Sequence, residues 1–359
     1  MVEKIEIDGV ELILSEPDEI SNMKWIGGEL YINQLLAAWS KIDANDIPLN
    51  PQILGKPGTG KTTLAYSAGK LLNLPMYIFQ CTMDTRPEDL LITPVIAEDN
   101  SIKYHASSLV SSMIKGGVCI LDEANRMAEK SWASLAPLLD SRRYVESIIA
   151  GIKIKAHPNF RVCVTMNEDS STFEVPEYIH SRLQPQIFIE FPDAETEFKV
   201  LKYNVPYTPQ QILEYVRDFL QYSHEHNDPF SVRDGVNICR YYIKHYGPVN
   251  TAILKTLSEN KDKIRTIQET TIKEIKELTD LMILAEAIRS ILKTEGIRNF
   301  IEISRLRMNF LNLTENLMNL LSETYSKYIS EEAVKGVFEM VSDFMDTIQH
   351  SQKKKKKDQ

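Results

Sequence analysis

A glycine-rich stretch from Gln52 to Leu64, with the sequence QILGKPGTGKTTL, constrains the fold of this chain more than any other feature. Gly55, Gly60, Lys61 and Thr62 fill every fixed position of the phosphate-binding pattern G-x-x-x-x-G-K-[ST]. Glycines let the backbone curl so that successive N–H groups point into one anion-sized hollow. The stretch therefore predicts a buried strand, a tight loop and a helix, with a nucleotide bound at the loop. The alternative is a loop that only turns a strand into a helix.

The side chains of this loop predict what the nucleotide contacts. Lys61 is expected to reach the β- and γ-phosphates, and the Thr62 hydroxyl is placed to ligate Mg²⁺. ATP and Mg²⁺ are the expected cofactors, although the sequence leaves ATP and GTP as alternatives. The predicted nucleotide contacts are Gly55, Lys56, Pro57, Gly58, Thr59, Gly60, Lys61, Thr62 and Thr63.

A second motif, Val118–Glu123, is an apolar run that ends in two carboxylates. At the tip of a strand, Asp122 can bind the Mg²⁺ shell beside Thr62. Glu123 can then polarise a water for in-line attack on the γ-phosphate. An acidic helix cap after a strand is the alternative explanation of this pair.

Short apolar runs alternate with helical segments after the loop, which predicts a parallel sheet covered by helices on both faces. Asp8-Gly9 predicts an N-terminal hairpin, because this pair suits a tight turn. Two more hairpins are predicted as insertions into the sheet, over 91–105 and 144–155. The predicted core strands are Met76 to Cys81, Val118 to Leu121, Val162 to Met166 and Ile187 to Phe191.

Composition limits the class of protein. The chain has 43% hydrophobic and 25% charged residues, as in an ordinary globular protein. Its net charge of −9 argues against nucleic acid as a partner, since phosphate neutralisation dominates such binding. No membrane span or signal peptide is predicted, and the four separated cysteines indicate reduced core thiols. We therefore expect a cytoplasmic protein without a membrane partner.

From Asp193 onward the pattern is helical. Thr208 and Gln211 predict a capping box, and another helix is predicted from Ser231 to Tyr246, ending at Gly247-Pro248. Amphipathic helices are predicted after Lys261, followed by a solvated lysine tail. The predicted domains are an N-terminal hairpin and helix (1–44), an α/β core with two hairpin inserts (45–193), a helical lid (194–260), a C-terminal helical region (261–352) and a basic tail (353–359).

The two motifs, with Thr165-Met166-Asn167, resemble AAA+ ATPases of the MoxR and dynein-related group over residues 45 to 245. The resemblance implies a three-layer P-loop NTPase core with a helical lid. It implies that Asn167 helps to hold the attacking water and that Arg182 reaches the γ-phosphate of a neighbouring subunit. By the same resemblance, Arg233 reaches the γ-phosphate of its own subunit. The role of Arg126 stays open between nucleotide, pore and a neighbouring helix.

The resemblance also implies a homo-oligomeric ring, most often a hexamer in this group. It suggests a chaperone-like remodeller of a protein partner, which could carry a von Willebrand factor A domain, with the hairpins near Tyr104 and Ile149–Gly151 contacting the substrate. A nucleic-acid motor and a nucleotide-gated interaction module with little turnover are the two alternatives. The C-terminal helices from Lys261 match no family pattern.

Overall fold

A computed structural model of the chain describes residues 3–43, 45–168, 174–225 and 230–246. The chain divides into two compact units, Met1–Pro192 and Asp193–Gln359. The predicted helices after Lys261, the stop at Gly247-Pro248 and the lysine tail lie outside the described residues. The finer domain boundaries stay predictions.

The first unit is built on a five-stranded parallel sheet, which confirms the α/β fold. Its strands are β3 (Gln52–Gly55), β4 (Met76–Gln80), β7 (Val118–Asp122), β10 (Arg161–Asn167) and β11 (Gln186–Ile189), in the order β11-β3-β10-β7-β4. All seven residues of β10 are buried, as expected for a strand covered on both faces.

Helices cover the two faces of this sheet and enclose two apolar cores. Val118 and Ile120 of β7 belong to one core, together with α1 (Glu29–Trp39) and α2 (Lys61–Leu71). Cys119 and Leu121 belong to the other, together with α4 (Ser108–Lys115) and α5 (Glu129–Leu135). Because successive strand residues point to opposite faces, this alternation gives three layers. Two short helices, α3 (Pro87–Leu90) and α6 (Glu177–His180), complete the unit.

A four-stranded sheet joins two hairpins that the sequence predicted separately. It contains β1 (Lys4–Ile7), β2 (Val10–Ile13), β5 (Ile92–Ile96) and β6 (Ile102–Ala106), in the order β1-β2-β6-β5. Strands β2 and β6 are parallel and align Leu12 with Tyr104. Tyr104 is therefore a half-buried residue of an interior strand, packed against the core, and not part of a free hairpin tip.

The second inserted hairpin pairs β8 (Tyr144–Ser147) with β9 (Ile152–Lys155). Its tip holds Ile148 at 93% exposure and Ile149 at 46% exposure. Gly151 has a φ of 65°, which explains why glycine follows the tip.

The second unit, in its described part, packs α7 (Ala194–Asn204), α8 (Gln210–Glu225) and α9 (Val232–Tyr241) around one apolar core, and a π-helical turn follows at Tyr242–Tyr246. The predicted capping box at Thr208 is wrong. Thr208 Oγ1 is buried and bonds to none of the described residues, and the Thr208 N–H donates to the Val205 carbonyl at 3.0 Å. The Gln211 amide donates to Tyr215 Oη at 3.2 Å. The helix predicted from Ser231 to Tyr246 is confirmed, because α9 begins after Ser231 and the π-helical turn continues it to Tyr246.

Two smaller expectations can be compared with the described residues. All four cysteines are free thiols and all are buried, as predicted. No helix in the described ranges is both long and apolar enough to cross a membrane.

Candidate active site

The phosphate-binding loop connects β3 to α2, and its backbone requires glycine. Gly58 and Gly60 have φ values of 81° and 92°, in the left-handed region that suits glycine. A side chain at Gly55 would place its Cβ 2.3 Å from the Ile189 carbonyl oxygen of the adjacent strand. The loop therefore depends on close packing against β11 as well as on its own curvature.

Lys61 is the first residue of α2, and its ammonium folds back onto the loop. Lys61 Nζ donates to the carbonyl oxygens of Gly55 and Lys56, each at 2.8 Å, and the residue is 6% exposed. Thr59 Oγ1 donates to the same Lys56 carbonyl at 2.9 Å. These bonds hold a positive charge within the curve of the loop, where the α2 N-terminus adds its dipole.

The remaining predicted loop residues lie around this ammonium. Lys56 and Pro57 are exposed, and Thr63 is half-buried in the first turn of α2. Lys56 Nζ lies 5.4 Å from the centroid of the Phe191 ring. The indole of Trp25 also lies against the loop, because a Cβ at Gly60 would be 3.3 Å from a carbon of its ring.

Asp122 ends β7 beside the loop and accepts two short hydrogen bonds. Thr62 Oγ1 donates to Asp122 Oδ1 at 2.6 Å, and Thr165 Oγ1 donates to the same oxygen at 2.5 Å. Strands β7 and β10 are parallel neighbours with Leu121 aligned to Val164, which brings Thr165 next to Asp122.

This donor set fits Mg²⁺ chemically. A carboxylate and a hydroxyl are hard oxygen ligands, and Mg²⁺ is usually bound by one or two protein oxygens plus substrate phosphates. Among the described residues there is no cluster of three or more His, Cys, Asp or Glu that could enclose a metal alone. Asp122 and Thr62 would thus share the ion with the nucleotide.

Glu123 follows Asp122 in a left-handed conformation, with φ 54° and ψ 42°. Its backbone N–H donates to Thr165 Oγ1 at 3.0 Å, so one hydroxyl holds both acidic residues. Asn167 Nδ2 donates to Glu123 Oε1 at 3.0 Å, and Arg126 Nε donates to Oε2 at 2.7 Å. The carboxylate is thereby fixed at the carboxyl edge of the sheet, where Gln80 Nε2 also lies 3.4 Å from Oε2.

Asn125 fastens the end of β10 to the turn that follows Glu123. Its amide Nδ2 donates to the Asn167 carbonyl at 2.8 Å, and its Oδ1 accepts from the Asn167 N–H at 3.4 Å. Sequence reasoning assigned no role to Thr165, Asn125 or Gln80. The adjacency of the β7 and β10 ends would have indicated them, since the carboxyl ends of parallel strands share one edge.

The two predicted arginines lie in different units. Arg182 follows α6, where its Nη1 donates to the Tyr178 carbonyl and its Nε lies 3.5 Å from Asp140 Oδ2. Arg233 is exposed in the first turn of α9, in the second unit. The structure therefore brings together Lys61, Thr62, Asp122, Glu123 and Asn167, and its described contacts place neither arginine among them.

Comparison with known proteins gives the family of this site. The model of the family described as "AAA domain (dynein-related subfamily)" matches residues 52–183. A protein of Staphylococcus epidermidis described as uncharacterized is 28% identical over 178 residues, which cover 48% of this chain and 67% of that protein. A Staphylococcus aureus protein with the same description is 27% identical over 162 residues, covering 44% of this chain and 61% of that protein.

Two solved structures are similar at lower identity. The FIGL-1 AAA domain in complex with ADP is 16% identical with a TM-score of 0.44, covering 77% of this chain and 86% of that chain. NtrX from Brucella abortus in complex with ADP is also 16% identical with a TM-score of 0.44, covering 82% and 70%. The family match and the loop and carboxylate geometry lie on the same residues: residues 52–183 match the AAA domain of the dynein-related subfamily, and the first unit has the AAA+ P-loop NTPase fold.

Proposed function

We propose that this chain is an ATP-hydrolysing ring protein of MoxR type that remodels or activates a protein partner in the cytoplasm. The observation that carries the proposal is a hydrogen-bonded chain from Thr62 through Asp122 and Thr165 to Glu123. It connects the loop that would hold the phosphates to the carboxylate that would act on water.

Each residue of this chain has a separate role in the proposed reaction. Lys61 and the loop N–H groups would hold the phosphates, and Thr62 and Asp122 would hold Mg²⁺. The ion supplies electrostatic stabilisation of charge on the phosphate oxygens when bound. Glu123 would accept a proton from the attacking water, a contribution of typically about 10²–10⁴ in rate. Asn167 and Arg126 orient the Glu123 carboxylate, which supports a site built for turnover over a nucleotide-gated module without it.

The position of Arg182 supports a ring. Its carbonyl is bound by the side chain of Asn50, which precedes β3, whereas the phosphate loop follows β3 at Gly55. At a rise of about 3.3 Å per residue, an extended segment from residue 50 to 55 spans about 17 Å. Arg182 thus lies toward the opposite edge of the sheet from its own loop. An arginine placed there is better suited to the nucleotide of a neighbouring copy, and a hexamer is the proposed assembly.

Exposed apolar side chains on the two inserted hairpins support a protein substrate. Ile148 is 93% exposed, and Ile96 and Ile102 are 76% and 61% exposed where they face each other at the end of β5 and β6. A basic surface would be expected for a nucleic-acid motor, and the net charge of −9 does not favour one. A partner with a von Willebrand factor A domain and a nucleotide-sensing role for Arg233 remain part of the proposal through family resemblance alone.

Nucleotide binding and turnover can be separated with two variants. Lys61→Ala should lose ATP binding, because the loop loses its central cation. Glu123→Gln should bind ATP and hydrolyse it about 10²–10⁴ times more slowly, because an amide cannot take the proton. The charge-matched control is Asp99→Asn, in the turn between β5 and β6, which should behave as wild type.

Fluorescent ATP and GTP titrations with phosphate release would measure both steps and the base preference. Wild-type turnover by Glu123→Gln would remove Glu123 from its role, and tight binding by Lys61→Ala would contradict the loop assignment. Stimulation of turnover by single-stranded DNA, without stimulation by any unfolded protein, would favour the nucleic-acid motor instead.

The ring itself is tested by mixing variants. Arg182→Ala subunits keep an intact loop and lack the arginine, whereas Lys61→Ala subunits keep the arginine and lack a working loop. Mixed rings should regain turnover at the interfaces where the intact phosphate loop of one subunit meets Arg182 of the next. If mixed assemblies form and stay as inactive as their components, Arg182 does not act on a neighbour.

A further inference from the structure

Asp140 contacts the side chains of two arginines, Arg142 and Arg182. Its carboxylate accepts hydrogen bonds from the Arg142 guanidinium, Nε to Oδ1 at 3.0 Å and Nη2 to Oδ2 at 2.8 Å, and from the Arg142 backbone N–H to Oδ1 at 3.0 Å. Asp140 Oδ2 also lies 3.5 Å from Arg182 Nε, an ion-pair distance. The hydrogen bonds from Arg142 lower the pKa of Asp140 to about 2, so the carboxylate is charged at neutral pH.

The contacts of the Arg182 guanidinium leave one nitrogen for an anion. Nε is buried at ion-pair distance from Asp140 without a hydrogen bond to any described residue, and Nη1 donates to the Tyr178 carbonyl. Among the described residues, Nη2 donates no hydrogen bond. Since a guanidinium is a planar fork, the ion pair at Nε and the hydrogen bond at Nη1 together set the direction of Nη2. The side chain is 29% exposed, so this remaining nitrogen belongs to a partly accessible group.

A buried amide holds the backbone on both sides of this ion pair. Asn50 is 6% exposed, and its Nδ2 donates to the Leu139 carbonyl at 2.8 Å and to the Arg182 carbonyl at 3.0 Å. Arg143 Nη1 donates to Asn50 Oδ1 at 3.0 Å and completes the bonding of that side chain. The relative position of Asp140 and Arg182 is therefore built into the fold and does not depend on a flexible surface contact.

We propose that Asp140 is a positioning residue that orients Arg182 toward the nucleotide of the neighbouring subunit. The proposal rests on the proposed ring, and Asp140 itself contacts no nucleotide. It predicts that Asp140 acts only through the arginine that its subunit donates to the neighbour. It predicts no effect of Asp140 on hydrolysis at the phosphate loop of its own subunit. This asymmetry separates positioning from a general structural role.

The test places Asp140→Asn in one subunit type at a time. The reference is the mixture of Lys61→Ala donors with Arg182→Ala acceptors. Lys61→Ala/Asp140→Asn donors should rescue turnover at least about tenfold less, because a misplaced catalytic group can cost up to about 10² in rate. Arg182→Ala/Asp140→Asn acceptors, mixed with Lys61→Ala donors, should be rescued as well as the reference. The loss should be in kcat with KM for ATP unchanged.

Two further donors serve as controls. Glu11→Gln removes an exposed carboxylate that pairs with Lys4, far in sequence from Asp140. This variant should leave the rescue of turnover intact. Asp140→Glu keeps the charge and should restore part of the rescue. Equal loss with Asp140→Asn in either subunit, or no loss in the donor, overturns the proposal. Failure of the reference mixture itself overturns the ring and not the role of Asp140 alone.

Discussion

Thr165 offers the sharpest single test of the geometry at the carboxyl edge of the sheet. Its hydroxyl donates to Asp122 Oδ1 at 2.5 Å and accepts the Glu123 N–H at 3.0 Å, and the residue is fully buried. Thr165→Val keeps the branched shape and removes both bonds. The substitution therefore changes hydrogen bonding at the two acidic residues with little change in packing volume.

The expected magnitude follows from the two lost bonds. A hydrogen bond to a charged group contributes about 1.5–3 kcal/mol, and a buried N–H left without an acceptor costs about 1–3 kcal/mol. The two partners, Asp122 and Glu123, are half-buried, so the lower end of each range applies, and the free energy of unfolding should fall by about 2.5 kcal/mol. Glu123 also loses the bond that supports its left-handed backbone, which costs about 1–2 kcal/mol in an L-residue. Its displaced carboxylate should lower kcat by about 10²-fold.

Urea unfolding and steady-state phosphate release at saturating ATP measure the two effects. Thr165→Ser is the matched control, because it keeps the hydroxyl and loses only a methyl group. Thr165→Val should be less active than Thr165→Ser by most of the predicted factor. Equal kcat in the two variants would refute the argument that this hydroxyl holds Glu123 in place.

Three other predictions concern separate parts of the chain. Gly55→Ala should abolish ATP binding in a fluorescence titration, because the new Cβ would lie 2.3 Å from the Ile189 carbonyl oxygen; unchanged affinity would contradict the packing of the loop against β11. Asp234→Ala should lower the free energy of unfolding, measured in urea, by about 1 kcal/mol, because Asp234 Oδ2 accepts both the N–H and the hydroxyl of Ser231 at the start of α9. The control Asp234→Asn should lower it by less. Burial raises the pKa of Cys119 and Cys239 to about 12, so a thiol reagent at pH 8 should modify the native protein slowly and the unfolded protein fast. The free energy of unfolding should fall as the pH rises above 9.0, because the unfolded chain then releases protons that the folded chain keeps. Fast labelling of the native form would show that the thiols are accessible.

Local chemistry explains which parts of this structure were predictable from the sequence. The phosphate loop needs glycine at fixed positions, and Asp8-Gly9 needs positive φ values, which the structure gives as 50° and 79°. Both patterns lie within a few consecutive residues. The parallel sheet was also predictable, because its strands are apolar on both faces. The ion pair between Asp140 and Arg182 joins distant positions, and nothing near either residue indicates the other.

Strand partners and side-chain hydrogen bonds were harder to predict for the same reason. The pairing of β2 with β6 joins Leu12 to Tyr104 across most of the domain, so Tyr104 looked like part of an independent hairpin. Gln211 has the right spacing from Thr208 for a capping box, but the Thr208 N–H that the box would use donates to the Val205 carbonyl at 3.0 Å. In each case the sequence pattern was locally valid, and a competing contact determined the structure.

Strand β3 connects the phosphate loop to the segment that holds Arg182, and in the proposed ring this would couple neighbouring nucleotide sites. At its carboxyl end, Gly55 pairs with Ile189 and its carbonyl accepts the Lys61 ammonium. Just before its amino end, Asn50 holds the carbonyl of Arg182, and the chain from Arg182 continues directly into β11 beside β3. A hydrogen-bonded pair of parallel strands does not stretch, so a shift of the loop on nucleotide binding would be carried along β3 and β11 to Arg182. Each subunit would then stand between two nucleotides, its own at Gly55 and its neighbour's at Arg182, and neighbouring sites could not titrate independently. Binding of ATP to mixed rings that contain Lys61→Ala subunits should therefore differ in affinity from binding to wild-type rings, and identical site affinities would show that β3 carries no such coupling.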